Sequence, residues 1–156
     1  SSTIIYGDGF ANATKGQYEA LFDRCKRMKN VNYMGYASNQ GVRRAVQKAH
    51  IFAYPSVFQE TSCLAALEAG AAGCKMVVTN FGALYETCSE WADYATYTPN
   101  RQLLAERFAR VLETTINNYR HDDPIHKEQS DFYNKFWTWE NRLPQWREFL
   151  NDTYDR

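Results

Sequence analysis

IFAYPSVFQETSCLAALEAGAAGCKMVVTNFG, residues 51–82, sets two short β-enriched apolar runs on either side of a segment of small apolar residues. The first run stops at Pro55 and Ser56, where proline cannot extend strand pairing and a loop begins. The middle part, ETSCLAALEAGAAG at 60–73, predicts a helix that ends at Gly73, and KMVVTNFG at 75–82 predicts a second strand running into a glycine turn. Strand, loop, helix and strand in this order make a unit of the parallel type. One residue stands out within it. Glu68 lies among Leu64, Ala65, Ala66, Leu67, Ala69, Ala71 and Ala72, a composition expected of a helix buried on all sides. A carboxylate there needs a ligand, a wet cleft, or an arginine or backbone amide at the helix rim, because an unpaired buried charge costs several kcal/mol. In parallel units ligands gather outside the carboxyl ends of the strands, where helix amino termini present free N–H groups. Glu60 falls in the loop at that end, so Glu60 and Glu68 are expected to border one crevice.

The alternation continues outward. Residues 3–6 predict a strand followed by a turn bracketed by Gly7 and Gly9. Tyr18, Leu21, Phe22, Cys25 and Met28 recur at helical spacing between Lys15 and Met28. Val31 to Met34 predicts a strand, Asn39 to Lys48 a helix, and Tyr94 to Tyr97 an edge strand. Leu104, Phe108, Val111, Leu112 and Thr115 form one stripe of a long helix from Leu103 to Ile116. Beyond Pro124 aromatic residues crowd together; Phe132 with Phe136 and Trp146 with Phe149 have helical spacing, which predicts packing onto the sheet or onto a further domain. A stacking platform for a sugar or base, with Trp139 and Trp146 as its candidates, is the functional alternative.

Composition excludes several classes. The 156 residues suffice for one core-forming domain, and 18 basic side chains balance 18 acidic ones, leaving no broad basic face for nucleic acid. No apolar run approaches the roughly 20 residues of a membrane helix. The four cysteines show no C-x-x-C pair, which predicts reduced, buried thiols in a cytoplasmic setting. His50, His121 and His126 stand apart with no ligand spacing, so no metal site is expected. Glu86 and Glu90 read as a solvated helix face, as do Arg43, Arg44 and Lys48.

YPSVFQETSCLAALEAGAAGCKMVVTNFGALYE, residues 54–86, resembles the signature of retaining nucleotide-sugar glycosyltransferases of the GT-B fold: Pro-Ser, a Glu, seven residues, a second Glu, then Ala, a small residue, Ala and Gly, and a later Gly-x-x-x-Glu. NVNYMGY at 30–36, TIIYGDG at 3–9 and the aromatic tail resemble flanking parts of the same domain. The resemblance implies an α/β fold, a Rossmann-like parallel sheet flanked by helices that forms the C-terminal half of a GT-B fold, with aromatic-rich C-terminal helices. It implies a nucleotide-sugar-binding domain over residues 1–123 and helices packing on it over 124–156.

By the same resemblance, Glu68 accepts hydrogen bonds from the donor ribose, and Glu60 sits catalytically beside the hydroxyls of the transferred sugar. Thr61, Ser62, Cys63 and Leu64 offer backbone amides to the diphosphate, Tyr36 and Ala37 border the base, and Glu86 orients its loop. Independently of the resemblance, the place of Gly7 at a strand end sets it near the cleft, with a simple turn as the alternative. The donor is a UDP- or GDP-sugar with no obligate metal or other cofactor. The acceptor is a sugar, lipid or protein held by an N-terminal domain. Ser62 and Cys63 stand where the family usually has an aromatic residue and glycine. The strand and helix that carry the family's diphosphate-gripping Arg and Lys have no counterpart, so the expectation is a fragment of a longer enzyme, inactive by itself. The alternative is a non-catalytic nucleotide-sugar-binding or scaffold module.

Overall fold

A computed structural model describes residues 3–6, by backbone course, and 18–154; Gly7 and residues 15–17 of the first expected helix lie outside these. The chain forms two compact units that part between Ala45 and Val46.

In the first unit, β1 (Thr3–Tyr6) pairs in parallel with β2 (Val31–Gly35), from Thr3 opposite Val31 to Tyr6 opposite Gly35. The connecting helix α1 (Glu19–Arg27) lays Phe22 on Tyr33, with ring centroids 5.3 Å apart. Of its apolar stripe, Phe22 and Cys25 are half-buried, while Tyr18, Leu21 and Met28 remain exposed. Gly35 ends β2 at φ +60°, a left-handed conformation natural to glycine. Helix α2 (Asn39–Val46) follows.

The second unit is built on a parallel sheet in the order β3 (Ile51–Tyr54), β4 (Lys75–Thr79), β5 (Ala92–Ala95). Ile51 pairs with Lys75 and Met76 with Ala92, so the strands start in near-level register. Central strand β4 explains the layering. Met76 and Val78 enter a cluster with Cys63, Ala66, Ala69, Leu84 and Tyr133, whereas Val77 enters a second cluster with Ala95 and Phe108. The two-residue period of a strand thus divides one apolar run between two opposite faces, which is why the run does not alternate with polar residues. Helices α3 (Leu64–Ala71), α4 (Leu84–Cys88) and α6 (Ile125–Phe136) belong to the first face, and α5 (Arg101–Asn118) to the second. Fully burying each of Met76, Val77 and Val78 contributes about 1.5–3 kcal/mol. The architecture is the expected Rossmann-like α/β arrangement, with its parallel pairs resolved as a two-stranded and a three-stranded sheet.

Two expectations change. Helix α3 is not buried all round: Ala66, Ala69 and Gly70 are buried, but Leu64 is 72% exposed and Ala65 is exposed too. Its small residues serve close packing on one side rather than immersion. Gly70 shows how close, since a Cβ there would stand 2.4 Å from the Tyr133 ring. The aromatic tail also divides. Phe132, Tyr133 and Trp137 join the core, but α7 (Trp139–Tyr154) has no buried residue, and Trp146 packs edge-on against Phe149 instead of on the sheet.

Candidate functional site

The carboxyl end of β3 opens into a loop, 55–63, whose course is set by short polar contacts. Ser56 is buried; its Oγ accepts from the Phe58 amide, and its carbonyl accepts from Thr79 Oγ1 at 2.7 Å, which ties the loop to the end of β4. Glu60 is then caught from two sides. Its carboxylate Oε1 accepts a 2.7 Å hydrogen bond from the Tyr54 hydroxyl, and its carbonyl accepts from the Ala83 amide at 2.8 Å. The turn after β4 makes the second contact possible through Gly82. This glycine has φ +60°, and a Cβ on it would lie 2.7 Å from the Glu60 nitrogen and 2.8 Å from its oxygen. Only a residue without a side chain lets the two backbones approach this closely.

Helix α3 begins four residues beyond Glu60. Cys63 takes the N-cap position in extended geometry and makes no capping hydrogen bond, unlike Asn100 at the start of α5, which accepts from the Leu103 amide. No side chain caps the first turn of α3 by a full hydrogen bond, the Ala65 and Ala66 amides lie against the Cys63 sulfur, and the positive end of the helix dipole falls at the carboxyl edge of the sheet. Burial pushes the Cys63 thiol above its ordinary value, the Ala66 amide opposes this, and the charge of Glu60 adds to the rise. Tyr54 is held well above the usual tyrosine range by burial first and then by its hydrogen bond to Glu60, so it remains a neutral donor to that carboxylate.

The far end of α3 is fixed as firmly. Gly73 at φ +76° closes a Schellman motif in which the Cys74 amide donates to Ala69 O and the Gly73 amide to Gly70 O, each at 3.0 Å. Side chains of α6 take up the last carbonyls: Gln129 donates to Gly70 and Cys74, Ser130 to Ala71 at 2.7 Å, and Asn134 also to Ala71. The helix that aims its amino end at the loop is therefore held at its carboxyl end by the C-terminal segment.

Thr61 and Ser62 are exposed in the loop, Cys63 is buried and Leu64 is exposed at the helix start. Glu68 lies one turn into α3, half-buried and engaged in an interaction of its own. Tyr36, 81% exposed, and half-buried Ala37 follow the carboxyl end of β2 in the first unit. Glu86 is exposed on α4. The four cysteines are free, and among the described residues no group of His, Cys, Asp and Glu is placed to hold a metal ion. Among the described residues no helix is long and apolar enough to cross a membrane. Tyr54 and Gly82 are neighbours of Glu60 that the sequence reading did not single out; their positions, a strand-final aromatic and a turn glycine, are the available signal. A cleft of about 560 Å³ lined by Lys75, Asp93, Arg110 and His126 lies at the opposite, amino edge of the sheet.

The family model described as Glycosyl transferases group 1 matches residues 2–114. No curated protein and no solved structure matches the chain significantly.

Proposed function

Since the chain belongs to the glycosyl transferases group 1, we propose that it is the donor-binding part of a retaining enzyme that transfers a sugar from a UDP- or GDP-sugar. The observation that carries the reading is the anchored Glu60 loop leading into the uncapped amino terminus of α3. Such a terminus suits the diphosphate of a donor. Its amides and dipole stabilise the charge that grows on the departing nucleoside diphosphate as the glycosidic bond breaks, at no reorganisation cost.

In this reading Glu60 receives the hydroxyls of the transferred sugar. Tyr54 occupies one carboxylate oxygen and orients the other towards the substrate. Glu68 accepts from the ribose, Thr61 to Leu64 line the diphosphate with backbone amides, and Tyr36 and Ala37 border the base. Gly7 lies outside the described residues, and its place beside the cleft rests on its position at the end of a strand. No metal is required by these roles, because the helix terminus supplies the positive potential. An acceptor-binding domain completes the cleft and contributes the acceptor, and the enzyme works in the cytoplasm, where nucleotide-sugars are at hand. Thermal unfolding with UDP, GDP and ADP tests the proposal. A nucleotide at a hundred times its dissociation constant adds about 2.7 kcal/mol to stability. A shift with UDP or GDP that is absent in Glu68→Ala supports the assignment, and a shift with neither in the wild type speaks against it.

A further inference from the structure

Helix α7 spans 16 residues without burying one of them. A helix of this length holds little stability in water unless it packs an apolar face. Such a face exists. Trp139, Leu143, Trp146 and Leu150 are exposed and recur at intervals of four, three and four, the spacing of the inner d and a positions of a heptad. Asn141, Gln145, Glu148 and Asp152 take outer positions. Pro144 is also at an outer position, so its ring stands clear of the seam. With Phe149, which flanks the seam and meets Trp146 edge-on, the inner residues leave roughly 600 Å² accessible. A symmetric pair of such faces buries about 1,200 Å², the lower bound of specific interfaces.

The charges beside the seam identify the occupant. Its e positions hold Glu140 and Arg147, one heptad apart, both exposed and without an ion pair or side-chain hydrogen bond among the described residues. In an antiparallel pair of heptad helices e positions meet e positions, whereas in a parallel pair g positions meet e positions. The antiparallel register that lays Trp139 on the partner's Leu150, and Leu143 on the partner's Trp146, brings Glu140 to the partner's Arg147. Symmetry makes this pair twice. Sliding by one heptad opposes Glu140 to Glu140 or Arg147 to Arg147. A parallel pair sets Arg142, at a g position, against the partner's Arg147. Opposite charges therefore meet in one arrangement, and like charges in its alternatives. Arg142 is occupied within its own chain, 4.6 Å over the Trp137 ring and donating to Gln145.

We infer that α7 is a self-association surface, on which a second copy of this chain docks antiparallel with Glu140 and Arg147 pairing across the seam. The contact is separate from the loop that holds Glu60 and does not depend on what that loop binds. Trp139 and Trp146 serve here as interface anchors. The seam is only two heptads long, so the dimer is weak.

The test is sedimentation equilibrium of the full chain from about 1 to about 200 μM. A reversible monomer–dimer equilibrium is expected, with a dissociation constant on the order of 10 μM. Glu140→Arg and Arg147→Glu are each expected to weaken it about tenfold, and an equimolar mixture of the two variants to associate as the wild type does, because each supplies the charge the other lacks. Leu143→Asp is expected to abolish association. All three side chains are exposed, so the melting curve of the domain should not change. The mixing experiment keeps its force even if Leu143→Asp unwinds α7. A chain that stays monomeric at about 200 μM, association that survives Leu143→Asp, or charge variants that associate no better mixed than apart would overturn the inference. The first of these outcomes would leave α7 to a partner of another kind.

Discussion

Gly82 and Glu60 meet backbone to backbone, with the space for a Cβ on Gly82 already filled by the Glu60 nitrogen and oxygen at 2.7 and 2.8 Å. The turn after one strand thereby clamps the loop after its neighbour, and the clamp sets where the Glu60 side chain begins. Gly82→Ala faces both this clash and a left-handed φ of +60°, which together cost about 2–4 kcal/mol. Urea unfolding is expected to show that loss with an unchanged slope. Full wild-type stability in the variant would show that the two loops separate freely.

Tyr54 acts on the other side of the same residue. Tyr54→Phe removes the 2.7 Å hydrogen bond to Glu60 and is expected to cost about 1 kcal/mol of stability. If Glu60 receives the transferred sugar as proposed, calorimetry should also find the bare nucleotide bound as before and the nucleotide-sugar bound about tenfold more weakly. Equal weakening of both ligands would assign Tyr54 a purely structural part.

Gln129 lies beyond the segment matched by the family model, yet it is 2% exposed and donates to Gly70 at 3.2 Å and Cys74 at 2.9 Å. Gln129→Ala removes the side-chain donor to the Cys74 carbonyl and leaves the Gly70 carbonyl only its bond from the Gly73 amide, and is expected to cost about 1–3 kcal/mol. Chemical denaturation checks the value, and a loss near zero would show that α6 rests on the domain without supporting it.

Alkaline pH is expected to loosen the second unit. Burial pushes the Cys74 thiol up to about 11 and the Cys88 thiol up to about 12, from an ordinary value of 9.0. Unfolding frees both to ionise, so their contribution is fully present below pH 9.0 and is lost as pH rises through the folded values. The urea midpoint should therefore fall steadily above about pH 9. A midpoint flat into strongly alkaline solution would mean that these thiols are not sealed from water.

Much of this was readable from residues 51–82, because proline, glycine and the two apolar runs punctuate the chain where its elements begin and end. The strand over 92–95 and the long helix ending at Asn118 differ from expectation by only a few residues. The exposure of Leu64 was not readable: a run of Ala and Leu carries no helical period strong enough to tell one buried face from complete immersion. Nor was the meeting of Gly82 with Glu60, since a turn glycine looks the same whether it serves its own turn or yields space to another loop. The convergence of His50 with His121 is a product of tertiary structure, seventy-one positions apart in sequence. For the aromatic tail, spacing correctly joined Trp146 to Phe149, but spacing says nothing about which side of a helix finds a partner.

In the proposed function the loop of Glu60 and the amino end of α3 receive the diphosphate of a nucleotide-sugar. The most direct measurement is a series of ¹H–¹⁵N spectra of the chain titrated with UDP and with GDP. Saturable displacement of the amides of Thr61, Ser62, Cys63 and Leu64 by one of them, together with Glu68, is the predicted result. Spectra that do not change with either nucleotide, or that change only away from residues 60–68, would contradict it.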